Sequence, residues 1–409
     1  MNYNELYEVL KERFENKSFF EHVEGLNLTI ETIQFKSEKA DLLHGSPKYT
    51  CNKHDLNFQN NEDQSHVIYG LPSIDVKDFD IECNKNFEYY ILKRADIEKA
   101  EGTIIFFHGL NEKRWDKYLP WAYELAQRTN KAIVLFPIAF HMNRAEEIWS
   151  DRHKMVEVSK FRKKNFNDNS DSSFVNAAIS SRLEAHPQRI FWSGFQTYSD
   201  VITVVKDIRS EKISSISPSS TFDLFGYSIG SFLSIIFKLA DPEEIFKDSK
   251  LFCFCGGMTI DRMFPISKYI MDSRAAIKMQ TVFAELLSSD FKSDLRLGHF
   301  QNSTLHPQES WFKMMLRYNY FQKEREERIR SIQSEIKAYV LEKDEVAPPM
   351  EALNTLKGGY RNIMVDVEIQ DFPFDYSHMV PFPLTNKIQD EVTASFNQFI
   401  QSASDFYNS

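Results

Sequence analysis

Apolar residues along the chain gather into short solid runs separated by longer amphipathic stretches. The runs TIIFF (103–107), AIVLFP (132–137) and LFCFC (251–255) suit strands buried on both faces, as in a parallel sheet. WDKYLPWAYELAQRT (115–129) lies between the first two and predicts a helix. TFDLFGYSIGSFLSIIFKLA (221–240) predicts a strand, a sharp turn and a helix in succession. EIKAYVLEKDEVAPP (335–349) predicts a strand and a loop, and MEALNTLKGGY a helix closed by Gly358-Gly359. NIMVDVEIQDF (362–372) predicts a further strand, and a last helix covers about 385–401. Strands alternating with helices imply an α/β fold, a mostly parallel central sheet with helices on both faces.

Three stretches break the alternation. Residues 1–77 begin with a short amphipathic helix carrying Leu6, Val9, Leu10 and Phe14 at helical spacing, then turn polar; they are expected as an extension packed on the core. The core then opens with two short strands around Asn84-Lys85-Asn86. Residues 138–170 follow Pro137 without clear periodicity, as expected of a functional, lid-like loop. Residues 172–212 have helical pattern with a break at Ser193-Gly194. Residues 261–333 are rich in Met, Phe and charge and predict a helical cap insertion. The expected organisation is therefore an extension (1–77), a first core part (78–260), a cap (261–333) and a second core part (334–409).

Composition narrows the class. The chain has 409 residues, 42% hydrophobic and 26% charged, which fits a soluble globular protein. Its 49 basic against 59 acidic residues give a net charge of -10, which argues against nucleic acid or an anionic membrane as partner. No run is long enough for a membrane span, and the polar N-terminus is unlike a signal peptide, so a cytoplasmic location is expected. The four cysteines show no Cys-x-x-Cys spacing; buried reduced thiols are expected, with no metal. No glycine-rich nucleotide loop follows a strand and no cofactor is expected.

The sharpest local signal is Gly226-Tyr227-Ser228-Ile229-Gly230, set between an apolar strand and an apolar helix. A nucleophile at the tip of so tight a turn needs small neighbours two residues away on either side. The plain alternative is a glycine-rich turn with an idle serine. The serine needs a base, and His378 lies on a loop after the late strand, where it can reach the same sheet edge. The base needs an acid. Asp344 ends the strand KAYVLEKD; Glu342 and Glu345 are neighbours, Asp261 is a second location, and a turn-capping role is the alternative for Asp344. The backbone N–H groups of Leu110 and Ile229 are the expected oxyanion donors, with His108 structural. Phe140, Met142 and Trp149 are candidate apolar wall of a substrate pocket, and Asn143 and Arg144 its polar anchors.

The ordered set His108-Gly109, Gly226-x-Ser228-x-Gly230, Asp344-x-x-x-Pro348 and His378 resembles the α/β-hydrolase superfamily over roughly residues 78–405. The oxyanion segment is not the glycine-rich lipase form, and Ser377 precedes His378 where many members have Gly. The resemblance implies a serine hydrolase cleaving a carboxylic ester or related small acyl substrate through a Ser-His-Asp triad. A peptidase or acyltransferase would share that machinery, and a binding module with a silent triad is the alternative from another class.

Overall fold

The computed structural model describes residues 1–23, 25–59, 74, 76–165 and 169–409. Residues 24, 60–73 and 75 of the expected extension, and 166–168 of the 138–170 loop, lie outside them. The strands are β1 (Phe20–Val23), β2 (Leu28–Lys36), β3 (Lys48–Cys51), β4 (Leu56–Gln59), β5 (Asn86–Arg94), β6 (Ala100–Phe107), β7 (Ala132–Leu135), β8 (Ile216–Tyr227), β9 (Leu251–Phe254), β10 (Ile336–Leu341) and β11 (Asp366–Gln370). The helices are α1 (Tyr3–Glu15), α2 (Glu82–Lys85), α3 (Leu119–Thr129), α4 (Arg152–Asn165), α5 (Ala177–Ala185), α6 (Arg189–Arg209), α7 (Ile229–Ala240), α8 (Ser273–Ser288), α9 (Leu295–Phe300), α10 (Gln322–Ser331), α11 (Pro349–Leu356) and α12 (Gln389–Asn408).

Nine strands form one sheet in the order β1-β2-β5-β7-β6-β8-β9-β10-β11. From β7 to β11 the strands run parallel, and β1, β2 and β5 add antiparallel pairs at one side. Side chains on successive positions serve opposite faces. Ile105 and Phe107 of β6, Leu224 of β8, Cys253 of β9 and Ala338 of β10 belong to one buried cluster, together with α6 and α7. Ile104 and Phe106, Phe225, Phe252 and Phe254, and Tyr339 and Leu341 belong to the other, together with α1, α3 and α12. In that second layer Phe399 of α12 packs tilted against Phe254 at 4.3 Å and meets Trp121 of α3 at 5.8 Å. Both faces are thereby covered, which is why the sheet strands read as unbroken apolar runs.

Several local expectations differ from the fold. The segment before β5 is a short helix, α2, not a strand, because Asn84 turns inward and its amide donates to Gln196 at 2.7 Å. Gly194 does not break a helix: α6 runs through it, and a Cβ there would press on the Phe312 ring. Much of the 138–170 stretch is helical, in α4. The last helix runs on to Asn408. The N-terminal 77 residues are not simply laid on the core: β2 pairs with β5 along its whole length, from Leu28 opposite Arg94 to Lys36 opposite Asn86. All four cysteines are free. No helix among the described residues is long and apolar enough to cross a membrane.

This integration generates a prediction. A chain beginning at residue 78 would lose α1, β1 and β2, leave β5 as a bare edge and uncover Tyr90 and Leu92. Such a chain should aggregate or lose cooperative unfolding, as read by size-exclusion chromatography and thermal melting. A truncated chain that melts cooperatively near the full-length temperature would show that the N-terminal residues are dispensable.

Candidate active site

β8 lies in the middle of the sheet and ends at Tyr227, and α7 starts at Ile229. The single residue between them, Ser228, sits at φ 57°, ψ −117°. That conformation is strained for a residue with a Cβ and is held by its surroundings. Its N–H donates to the Phe254 carbonyl at 3.1 Å. The glycines have a steric reason. A Cβ on Gly226 would collide with the backbone of Gly230 and Ser231, and one on Gly230 with the Phe107 carbonyl at the end of β6.

The structure places three distant side chains in line. Ser228 Oγ lies 2.8 Å from His378 Nε2, and His378 Nδ1 lies 2.7 Å from Asp344 Oδ2. All three are buried, at 4%, 5% and 3% exposure, so these polar contacts are shielded from water. Asp344 also does what a turn aspartate does: its Oδ1 accepts from the N–H groups of Val346 and Ala347, both at 2.9 Å. The two oxygens thus have separate tasks, one fixing the loop and one facing the imidazole. The other candidate acids are elsewhere. Glu342 and Glu345 point to solvent. Asp261 accepts from Thr259 Oγ at 2.7 Å and from the Tyr318 N–H at 3.0 Å.

An imidazole held this way can take a hydroxyl proton at Nε2 while the carboxylate fixes the Nδ1–H tautomer. Ile229 is the first residue of α7, so its N–H has no intrahelical acceptor. Leu110, on the loop after β6, lines the same cavity as Ser228 and Ile229. His108 is structural: its Nδ1 donates to the Gly109 carbonyl at 2.8 Å and its Nε2 accepts from the Ile138 N–H at 2.9 Å. Burial pushes its pKa well below the usual histidine range, which keeps it in that neutral form.

Ser228 opens on a small apolar pocket walled by Leu110, Ile190, Ile260, Met263, Ile270 and Met279. A second, larger pocket shares Leu110 and Ile190 with it, and Phe140 and Trp149 line this one. Met142 and Asn143 do not; they line a separate surface hollow beside Trp115 and Asn143 donates to the Glu88 carbonyl at 2.9 Å. Arg144 lines none of these pockets. It is fully buried and meets Asp200 at 2.9 Å, Asn84 Oδ1 at 3.0 Å and the Pro137 carbonyl at 3.1 Å. Asp200 in turn accepts from Ser37 at 2.6 Å, so this pair ties the end of β2 to α2, the 138–150 loop and α6. Its position beyond Pro137 suggested a loop anchor; the acidic partner on α6 could not be paired with it from sequence.

Three contributors were missed. Tyr227 stacks on the His378 ring and its hydroxyl donates to the His378 carbonyl, bracing the imidazole from the residue beside Ser228. Its place within Gly226-x-Ser228 was the one available signal. Tyr118 accepts the Gly109 N–H at 2.9 Å. Cys255, just past β9, places its thiol against Asp344; burial, then that carboxylate, raises its pKa well above the ordinary thiol value, so it stays protonated.

Residues 1–408 match the Family of unknown function (DUF6051). The chain belongs to this family. No curated protein matches. Among solved structures, it is similar to carboxyl esterase 2 from the mycorrhizal fungus Tuber melanosporum, at 11% identity and TM-score 0.41, over 79% of this chain and 82% of that one. Esterase Est22 matches at 11% identity and TM-score 0.43, over 93% of this chain and 81% of that one. A putative dipeptidyl aminopeptidase IV from Bacteroides ovatus matches at 10% identity and TM-score 0.40, over 78% of this chain and 34% of that one.

Arg144→Ala should act on stability. Removing one partner of a buried pair leaves Asp200 uncompensated, at a cost of about 3–5 kcal/mol. The melting temperature should fall by several degrees, roughly 1 kcal/mol shifting it by about 2 °C in a chain of this size. An unchanged melting temperature would show that the pair contributes nothing.

Proposed function

We propose that this member of a family of unknown function is a serine hydrolase of the α/β-hydrolase superfamily, acting on a carboxylic ester or related small acyl compound. The observation that carries the reading is the line Ser228–His378–Asp344, at 2.8 and 2.7 Å, with the serine on a strained strand-to-helix turn.

The chemistry follows from that line. Ser228 Oγ attacks the acyl carbon while His378 Nε2 takes its proton. The carbonyl oxygen becomes an oxyanion that the N–H groups of Leu110 and Ile229 receive. His378 returns the proton to the leaving alkoxide, and the carbon–oxygen bond to it breaks. Water then attacks the acyl-enzyme, with His378 as base again, and releases the acid and free Ser228. Asp344 keeps the imidazole oriented and offsets its charge. Residues 261–333 are a cap over this centre and 138–170 a lid-like side wall: Met263, Ile270 and Met279 from the first stand against Ser228, while Phe140 and Trp149 from the second wall the adjoining cavity. The apolar lining supports an apolar acyl group, and no cofactor enters the reaction.

Labelling with a fluorophosphonate probe tests the assignment. Wild-type chain should label at Ser228, and Ser228→Ala should lose both labelling and hydrolysis of p-nitrophenyl esters. Absence of labelling in folded wild-type chain would sink the enzyme and leave a binding module. Asp344→Asn should lower kcat by roughly 10⁴-fold, as when a triad carboxylate is neutralised in a serine protease; a drop of less than about tenfold would remove Asp344 from the machinery.

Met279→Trp should fill part of the cavity beside Ser228 and shift the preferred p-nitrophenyl ester toward shorter acyl chains, with activity on acetate retained. An unchanged chain-length profile would place the acyl group elsewhere.

A further inference from the structure

Away from the triad, four side chains with metal-ligating atoms converge: Cys51, His54, His299 and His306. Two come from the β3–β4 hairpin. Cys51 closes β3, and the His54 N–H donates back to the Cys51 carbonyl at 3.2 Å, a tight turn that turns both side chains to one side. Cys51 Sγ consequently lies 3.4 Å from His54 Nδ1. The other two come from α9 and the turn after it. His306 Nε2 lies 3.0 Å from His299 Nε2 and 3.6 Å from Cys51 Sγ. All four donor atoms lie within 4.8 Å of one another. Cys51, His299 and His306 are buried and His54 is half-buried.

The three closest of these approaches come near the spacing of a coordination shell. Metal–sulfur and metal–nitrogen bonds of about 2.3 and 2.0–2.1 Å, at tetrahedral angles, put neighbouring ligand atoms roughly 3.3–3.6 Å apart. The three close approaches, 3.0, 3.4 and 3.6 Å, bracket that range. Hydrogen bonding explains the pairs one at a time. It gives no reason for one thiol and three imidazoles to turn their donor atoms on a common point, where an imidazole donor facing an imidazole acceptor satisfies only one of the contacts. The surroundings add a further feature. His306 Nδ1 lies 3.3 Å from Glu309 Oε2, where a carboxylate stands behind a metal-bound imidazole and fixes its ring. Phe300 packs on the His306 ring at 4.7 Å, and Tyr49 on Phe300 at 5.5 Å, which walls the point from water.

We propose that Cys51, His54, His299 and His306 bind one Zn²⁺ in a closed, four-coordinate structural site. One thiolate and three imidazoles are the ligand set of a borderline-soft, tetrahedral ion, and four protein ligands leave no open position for substrate. Binding releases the Cys51 thiol proton to solvent, and the imidazoles bind neutral. The ion staples the β3–β4 hairpin to α9, two segments that share no main-chain hydrogen bond among the described residues. Phe300 of α9 in turn packs on Trp192 and Phe195 of α6, the helix whose Ile190 and Ser193 wall the larger cavity. The site therefore braces the pocket from behind without joining the chemistry.

The test reads metal, not hydrolysis. Full-length chain purified with zinc and then dialysed free of it should retain about one Zn²⁺ per chain by mass spectrometric metal analysis, a structural stoichiometry. Cys51→Ser and His299→Gln should each retain less than about a tenth of that, while Cys83→Ser should retain it in full. Replacing zinc with Co²⁺ in wild-type chain should give the strong visible bands of a tetrahedral site and a near-ultraviolet thiolate-to-cobalt band. The cobalt spectrum needs no variant, so it decides the matter if the variants fail to fold. Wild-type chain that retains no zinc, a cobalt complex without the thiolate band, or full zinc retention in a folded Cys51→Ser, His299→Gln double variant would each overturn the proposal.

Discussion

The contact on which the rest of this molecule turns is the approach of the first turn of α7 to the end of β6. Gly230 touches the Phe107 carbonyl so closely that no other residue fits. That approach forces the chain to reverse at once after Tyr227, and it leaves Ser228 at the crest in a conformation that a free chain would avoid. Stacked parallel strands then do the rest. Because β6, β8, β9 and β10 run the same way, the loops after all of them leave one edge, and Leu110, Ser228, Cys255 and Asp344 meet there.

His378 reaches that edge differently. It lies on the long connection between β11 and α12, in a tight turn closed by two main-chain hydrogen bonds between Ser377 and Val380. Its placement depends on neighbours: the Tyr227 hydroxyl on its carbonyl, Lys117 Nζ on the Met379 carbonyl at 3.3 Å, and Asp344 on its ring. The residue beside the serine thus also holds the histidine loop, tying Ser228 and His378 to one another.

Buried charge organises the periphery. Arg144 with Asp200, Arg182 and Arg189 with Asp78, and Arg162 with Asp272 each join segments far apart in the chain. Pairs like these cost desolvation, which their mutual attraction offsets only in good geometry. Arg162 links α4 to the start of α8, where Asp272 also caps the helix. The two stretches that border the cavities are therefore joined through this pair, while Ser37 and Asp78 tie the N-terminal part of the chain to α5 and α6.

Sequence alone determined whatever rests on neighbours a few residues apart. The apolar runs announced strands buried on both faces, since a strand covered twice cannot alternate. The glycines around Ser228 announced the turn, since its sterics involve five consecutive residues. Asp344 and His378 were legible as candidates by their place after strands. Their 2.7 Å contact was not, because 34 residues of chain separate them and only the packed sheet closes that gap. Tertiary structure alone decided the rest. Arg144 looked like a pocket anchor until burial gave it Asp200, and residues 20–36 looked peripheral until β2 found β5. Cys51 and His306, 255 residues apart, carry no local pattern that separates a metal ligand from an idle side chain. Coordination and ion pairing depend on distances of a few ångströms between side chains, and the fold, not the spacing along the chain, sets those distances.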